Sequence, residues 1–78
     1  MTPKPKEQYK HFKGESKIYQ IEAIARDSKN PEREIVVYKQ LYDSENFPIE
    51  TIWVRELNDF MGKKEFEDGT KVKRFVKI

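Results

Sequence analysis

The stretch Glu34-Ile35-Val36-Val37-Tyr38-Lys39-Gln40-Leu41-Tyr42 carries the strongest strand signal in the chain. Its β-branched, aromatic and aliphatic side chains suit a pleated, half-buried surface. Upstream, Ile18 to Ala25 alternates around Tyr19, Ile21, Ala23 and Ala25, with Ile18 and Ile24 on the other face. That is a second strand with both faces partly covered. Between the two lies Asp27-Ser28-Lys29-Asn30-Pro31, a dense cluster of turn formers, so the pair is expected as a hairpin.

Working outward, Tyr9-Lys10-His11-Phe12-Lys13-Gly14 reads as a short strand ending in a turn. Downstream, Asp43 to Pro48 is a loop whose Phe47 either tucks back or marks a site, and Thr51-Ile52-Trp53-Val54-Arg55 is a third β run. The period then changes. Leu57, Phe60 and Met61 are spaced i, i+3, i+4 and Gly62 follows, which predicts a helical turn with a glycine stop. Glu65-Phe66 and Val72 to Val76 flank Asp68-Gly69, a hairpin signal. About five strands and one short helical turn predict a mostly β domain, expected as a small SH3-like bent barrel.

The 78 residues allow one domain. Residues 1–8, rich in Pro and Lys, are expected as a flexible basic tail, and 9–78 as the single barrel domain. Only 36% of residues are apolar, but five Phe, four Tyr and one Trp bring about 150–250 Å² of burial each. There is no cysteine, which excludes disulfides, zinc knuckles and thiol nucleophiles. No apolar run approaches the roughly 20 residues of a membrane helix, and no apolar stretch follows the basic start. These features lead us to expect a cytoplasmic chain with no membrane partner.

Six pieces of the sequence resemble a known family. They are Tyr9-Lys10-His11-Phe12-Lys13-Gly14, Val36-Val37-Tyr38, Leu41-Tyr42, Trp53-Val54-Arg55, Phe60 and Arg74-Phe75. In order and spacing, from about residue 9 to 78, they resemble the bacterial family known as domain of unknown function 1653. The resemblance implies a small β barrel and no established activity. Two positions depart from the family pattern: Glu56 stands where proline is usual after the arginine, and Asp27 where histidine is usual before the loop serine.

Catalytic constellations are weak. His11 is the single histidine, and Ser16, Ser28 and Ser44 sit in turn-like sequence without a nucleophile elbow. The loop acids lack the calcium-binding pattern, and Gly14, Gly62 and Gly69 are too scattered for a phosphate cradle. The chain is therefore expected to be non-enzymatic, without cofactor or metal.

Aromatic and basic residues make the better candidate site. In a strand, Trp53 and Arg55 share one face and Val54 takes the other. With Val54 expected in the core, Trp53 and Arg55 would be exposed neighbours, with Tyr42, His11 and Tyr9 nearby. Arg55 would offer a planar, always charged fork to carboxylate or phosphate. Residues 1–14 hold four lysines against Glu7, and 61–78 hold six bases against three acids, whereas 15–60 hold six bases against ten acids. Lys10, Lys13, Lys71, Lys73 and Arg74 form a candidate basic flank. A protein or peptide partner is expected first. RNA or single-stranded nucleic acid comes second because the net charge is only +2. A small-molecule or enzymatic site built on His11 and a carboxylate, and self-association through an exposed sheet edge, are the remaining readings.

Overall fold

Asp27 and Asn30 face each other across the two-residue turn Ser28-Lys29. The Asp27 carboxylate accepts the Lys29 N–H at 2.9 Å and fixes that turn. The computed structural model describes residues 2–78. Its elements are β1 (Gln8–His11), β2 (Ile18–Asp27), β3 (Asn30–Gln40), β4 (Ile52–Glu56), α1 (Leu57–Phe60), β5 (Lys63–Glu65), β6 (Lys71–Lys73) and β7 (Phe75–Lys77). The central hairpin is the expected one, with both strands running further toward the turn and the second ending at Gln40 rather than Tyr42.

Five strands form one antiparallel sheet in the order β4-β3-β2-β1-β7, and β5-β6 is a separate hairpin. Within the β2–β3 pairing, Ile21 faces Tyr38 but Ala23 faces Val37, so Glu22 is an extra residue on β2. Such a bulge bends its strand and raises the local twist. It also brings Ile21 and Ile24, three apart, onto one face opposite Tyr38 and Val36.

The fold is mostly β with a single helical turn, but the sheet does not close into the expected barrel. Its edges, β4 and β7, are not hydrogen-bonded to each other. Phe60 and Phe75 fill the space between them, stacked at 4.1 Å. The edges therefore meet through side chains, with the Arg55 guanidinium 5.6 Å from the Phe75 ring centre.

The core is Tyr9, Ile21, Val36, Tyr38, Phe60 and Phe75, with Tyr19, Ile24, Trp53 and Leu57 packed on it. Four of the six buried residues are aromatic, so ring burial replaces the missing aliphatics. The helical turn is too short to stand alone. It is held by Phe60, which also meets Tyr9 and Tyr38 edge-on at 5.3 Å. The strand expected over Val72 to Val76 is broken at Arg74. Its N–H donates to Gly62 and its carbonyl accepts from Phe12, so β6 pairs with β5 while β7 pairs with β1.

The segment expected as a flexible tail over 1–8 is docked in this structure. Pro3 is fully buried, the Lys6 N–H donates to Ile21, and the Ile21 N–H donates to Glu7. Gln8 already belongs to β1; Met1 lies outside the described residues. Among the described residues, no helix is long and apolar enough to cross a membrane.

Candidate binding face

Strand register decides which side chains share the inner, core-bearing face. Tyr9 lies opposite Tyr19, Tyr19 opposite Gln40, Tyr38 opposite Trp53, Val36 opposite Arg55, and His11 opposite Phe75. The alternation at 53–55 is the one expected, but its sense is reversed. Val54 points to solvent with 65% exposure, while Trp53 and Arg55 are half-buried on the core side. The reason is cross-strand: Tyr38 and Val36, their opposite neighbours, are buried, and Val37, opposite Val54, is not.

Trp53 is fixed by its indole N–H, which donates to the Gln40 side-chain oxygen at 3.0 Å. Gln40 is 2% exposed, the one buried polar residue among the described residues. Its amide N–H₂ group donates to the Tyr42 and Phe47 carbonyls, both at 2.9 Å. This single side chain thus ties β3, β4 and the 41–51 loop together. Phe47 tucks back, edge-on to Trp53 at 4.8 Å. Tyr42 joins through its hydroxyl, 2.6 Å from that of Tyr19. Burial, then the Tyr42 hydroxyl, raises the Tyr19 pKa.

Arg55 donates to the Asp59 carboxylate at 2.7 Å from Nη1 and to the Tyr38 hydroxyl at 3.4 Å from Nε. Arg74 approaches the other oxygen of Asp59 at 3.7 Å, and its Nε is buried without a hydrogen-bond partner among the described residues. Two guanidiniums therefore flank one half-exposed carboxylate beside the Phe75 ring. His11 packs against Phe12 and Phe75 at 4.6 and 4.9 Å. Its Nδ1 accepts the Lys13 backbone N–H at 3.1 Å, which puts the ring proton on Nε2. Burial, then the charges of Lys13, Arg55, Lys17 and Arg74, lowers its pKa to about 4, so the ring is neutral at pH 7.

Of the residues singled out in the sequence, His11, Tyr42, Trp53 and Arg55 gather on this face. Tyr9 shares the face but is not accessible there: it is 6% exposed, packed on Phe60, with its hydroxyl 3.4 Å from Glu7. The basic flank is dispersed. Lys10 lies on the opposite face, opposite Ile18 and Val76 and paired with Glu15, while Lys71 and Lys73 stand on the separate hairpin. Lys13 and Arg74 do join the site. Sequence reading missed Gln40, Tyr19 and Lys17, and Asp59 as the partner of Arg55. For Asp59 a signal existed, since it stands four residues after Arg55 where the chain was expected to turn helical. Among the described residues, no group of three or more His, Asp or Glu is placed to hold a metal.

The sequence profile of the family described as "protein of unknown function (DUF1653)" matches residues 7–77, nearly the whole chain. No curated protein and no solved structure matches it.

Proposed function

The chain belongs to that family of proteins of unknown function, and on this footing we propose that it is a non-catalytic binding module whose inner face takes an acidic group of a protein or peptide partner. The observation that carries this reading is the pair Arg55 and Arg74 on Asp59, at 2.7 and 3.7 Å. Asp59 occupies the position of such a carboxylate, taking one hydrogen bond from Arg55 Nη1. Its side chain is 49% exposed, and an exposed ion pair of this kind is worth about 0–1 kcal/mol. An incoming carboxylate that also packs on Trp53, Phe47 and Tyr42 displaces it at small cost.

A non-catalytic role is supported by His11. A group with a pKa of about 4 is a poor general base at neutral pH, and the charged groups that shift it are all cations. A peptide is favoured over nucleic acid because Lys10, Lys71 and Lys73 lie away from the face, which leaves a local cluster of Lys13, Lys17, Arg55 and Arg74 rather than an extended basic track.

Titration of ¹⁵N-labelled protein with a pool of short acidic peptides, a matched neutral pool and single-stranded RNA tests the proposal. The expected result is that the acidic pool shifts the Trp53 indole N–H, the Arg55 Nε–H and the His11 amide, and that Arg55→Gln abolishes those shifts. No shift with any acidic peptide, or shifts with RNA alone that fall steeply with salt, would overturn it.

A further inference from the structure

We infer that the free edge of β4 pairs antiparallel with β4 of a second copy of this chain, joining two five-stranded sheets across a two-fold axis at Val54. β4 is hydrogen-bonded on one side only, to β3. The Gln40 N–H donates to the Thr51 carbonyl at 3.0 Å. The ladder alternates, so the backbones of Trp53 and Arg55 face β3. The N–H and C=O groups of Ile52 and Val54 and the N–H of Glu56 therefore point outward, whereas the Glu56 carbonyl, at the N-cap of α1, opens the helical turn. An open depression of about 590 Å³, lined by Val54, Arg55, Glu56, Asn58 and Asp59, leaves room beside them.

The two sheet edges differ. β7 has three residues and ends in Lys77, a short, charged edge of the kind that resists pairing. β4 has no proline, glycine, lysine or bulge. It presents Val54 and Ile52, 65% and 52% exposed. Behind them, Ala23, Val37 and Val54 form an apolar row across β2, β3 and β4. That row ends at the open edge and continues into an identical row on a second copy.

A second copy fits because Ile52-Trp53-Val54-Arg55-Glu56 is complementary to its own reverse. With Val54 on the axis, Val54 exchanges hydrogen bonds with its counterpart, and the Ile52 carbonyl accepts from the N–H of the partner's Glu56, whose own carbonyl is kept by α1. On the inner face, Trp53 lies opposite the partner's Arg55, an indole against a guanidinium. Moving the axis to Arg55 sets two guanidiniums opposite each other. Moving it to Trp53 pushes Glu56 beyond the paired segment. The net charge of +2 opposes association only weakly. The inference does not rest on the acidic ligand proposed above, since the edge pairs through the backbone, although Trp53 and Arg55 serve both surfaces.

The contact is at the small end of specific interfaces, so dissociation is expected at about 100 μM. Sedimentation velocity from about 10 μM to 1 mM should show a reversible monomer–dimer equilibrium. Val54→Pro removes the central outward N–H without touching a β3 bond, and Val54→Lys adds charge on the axis. Each should leave a folded monomer by circular dichroism, and either suffices if the other fails to fold. Because the chain lacks cysteine, a nitroxide placed by Val54→Cys reports the axis directly. It should show spin–spin broadening at high concentration, and one at Lys29→Cys should not. A wild-type monomer at 1 mM, or a dimer that survives both edge substitutions, would overturn the inference.

Discussion

Arg55 on one edge strand lies over the ring of Phe75 on the other, 5.6 Å from guanidinium carbon to ring centre. The backbones of β4 and β7 do not pair, so this cation–π contact and the Phe60–Phe75 stack are what join the edges. Phe75 is 5% exposed and also meets Tyr38, Tyr19 and His11. Phe75→Ala should cost about 3–5 kcal/mol. A 78-residue domain has roughly 4–12 kcal/mol in all, so this variant should be largely unfolded or close to it in urea titration. Arg55→Gln should cost only about 0.5–2 kcal/mol, leaving a folded protein in which ligand binding is tested cleanly.

The His11 pKa predicts a pH dependence of stability. It is held at about 4 in the fold, against an ordinary value of 6.5. Between those values the unfolded chain binds the proton and the folded chain does not, so stability rises with pH across that window. On acidification the fold loses this contribution progressively from about pH 7 to pH 4. Discounted for the ring's partial exposure, the loss is about 1–2 kcal/mol. Glu7, Asp27 and Asp68 also have lowered pKa values, chiefly from hydrogen bonds to the Lys4 N–H, the Lys29 N–H and the Thr70 side chain respectively. Their contributions fade below the ordinary carboxylate range and act in the same direction. His11→Asn should flatten the stability profile between pH 4.5 and 6.5 while leaving the steeper fall below it. An unchanged profile in that variant would mean the ring is not held neutral.

The strand pattern of this chain was legible in its residues, but the inside of the sheet was not. Alternation alone places Trp53 with Arg55 and against Val54. It cannot say which set is buried when both faces of β3 are apolar, as Val36 and Tyr38 on one side and Ile35 and Val37 on the other make them. That choice is settled by Phe60 and Phe75, which come from remote parts of the chain and cover only one face. Gln40 was hidden for a related reason. A glutamine in a strand reads as solvent-facing until a tryptophan and a returning loop supply partners for its amide. The break at Arg74 was hidden too, because Val72 to Val76 has continuous strand character while its two halves serve different sheets.

Gly69 gives a local test of backbone chemistry. It sits at φ +89° in the β5–β6 turn, and a Cβ there would meet nothing within 4 Å. Any cost of substitution is therefore conformational rather than steric crowding. Gly69→Ala should destabilise the hairpin by about 1 kcal/mol, and Gly69→Asn by less, since asparagine tolerates positive φ. Because β5 and β6 pair only with each other, amide exchange should accelerate in residues 63–73 and leave the five-stranded sheet unaffected.

Gln40 offers a sharper test, because its two ends make opposite demands. The oxygen accepts from the Trp53 indole, and the N–H₂ group donates to two backbone carbonyls. Gln40→Glu keeps the size and the acceptor, but replaces the donor with a second acceptor facing the carbonyls of Tyr42 and Phe47. A buried carboxylate in that position must either remain charged among acceptors or take up a proton. Gln40→Met keeps the approximate volume and places no charge there, leaving the indole N–H and the two carbonyls to find water at the loop. The glutamate variant should therefore be the less stable of the two at pH 7, by about 1–3 kcal/mol, and should recover as the pH falls and the carboxyl protonates. Urea titrations of both variants at pH 5 and pH 7 measure this directly. In each, exchange at residues 43–50 should quicken before that of β2. A methionine variant no more stable than the glutamate one would show that the loop is not held by the Gln40 amide.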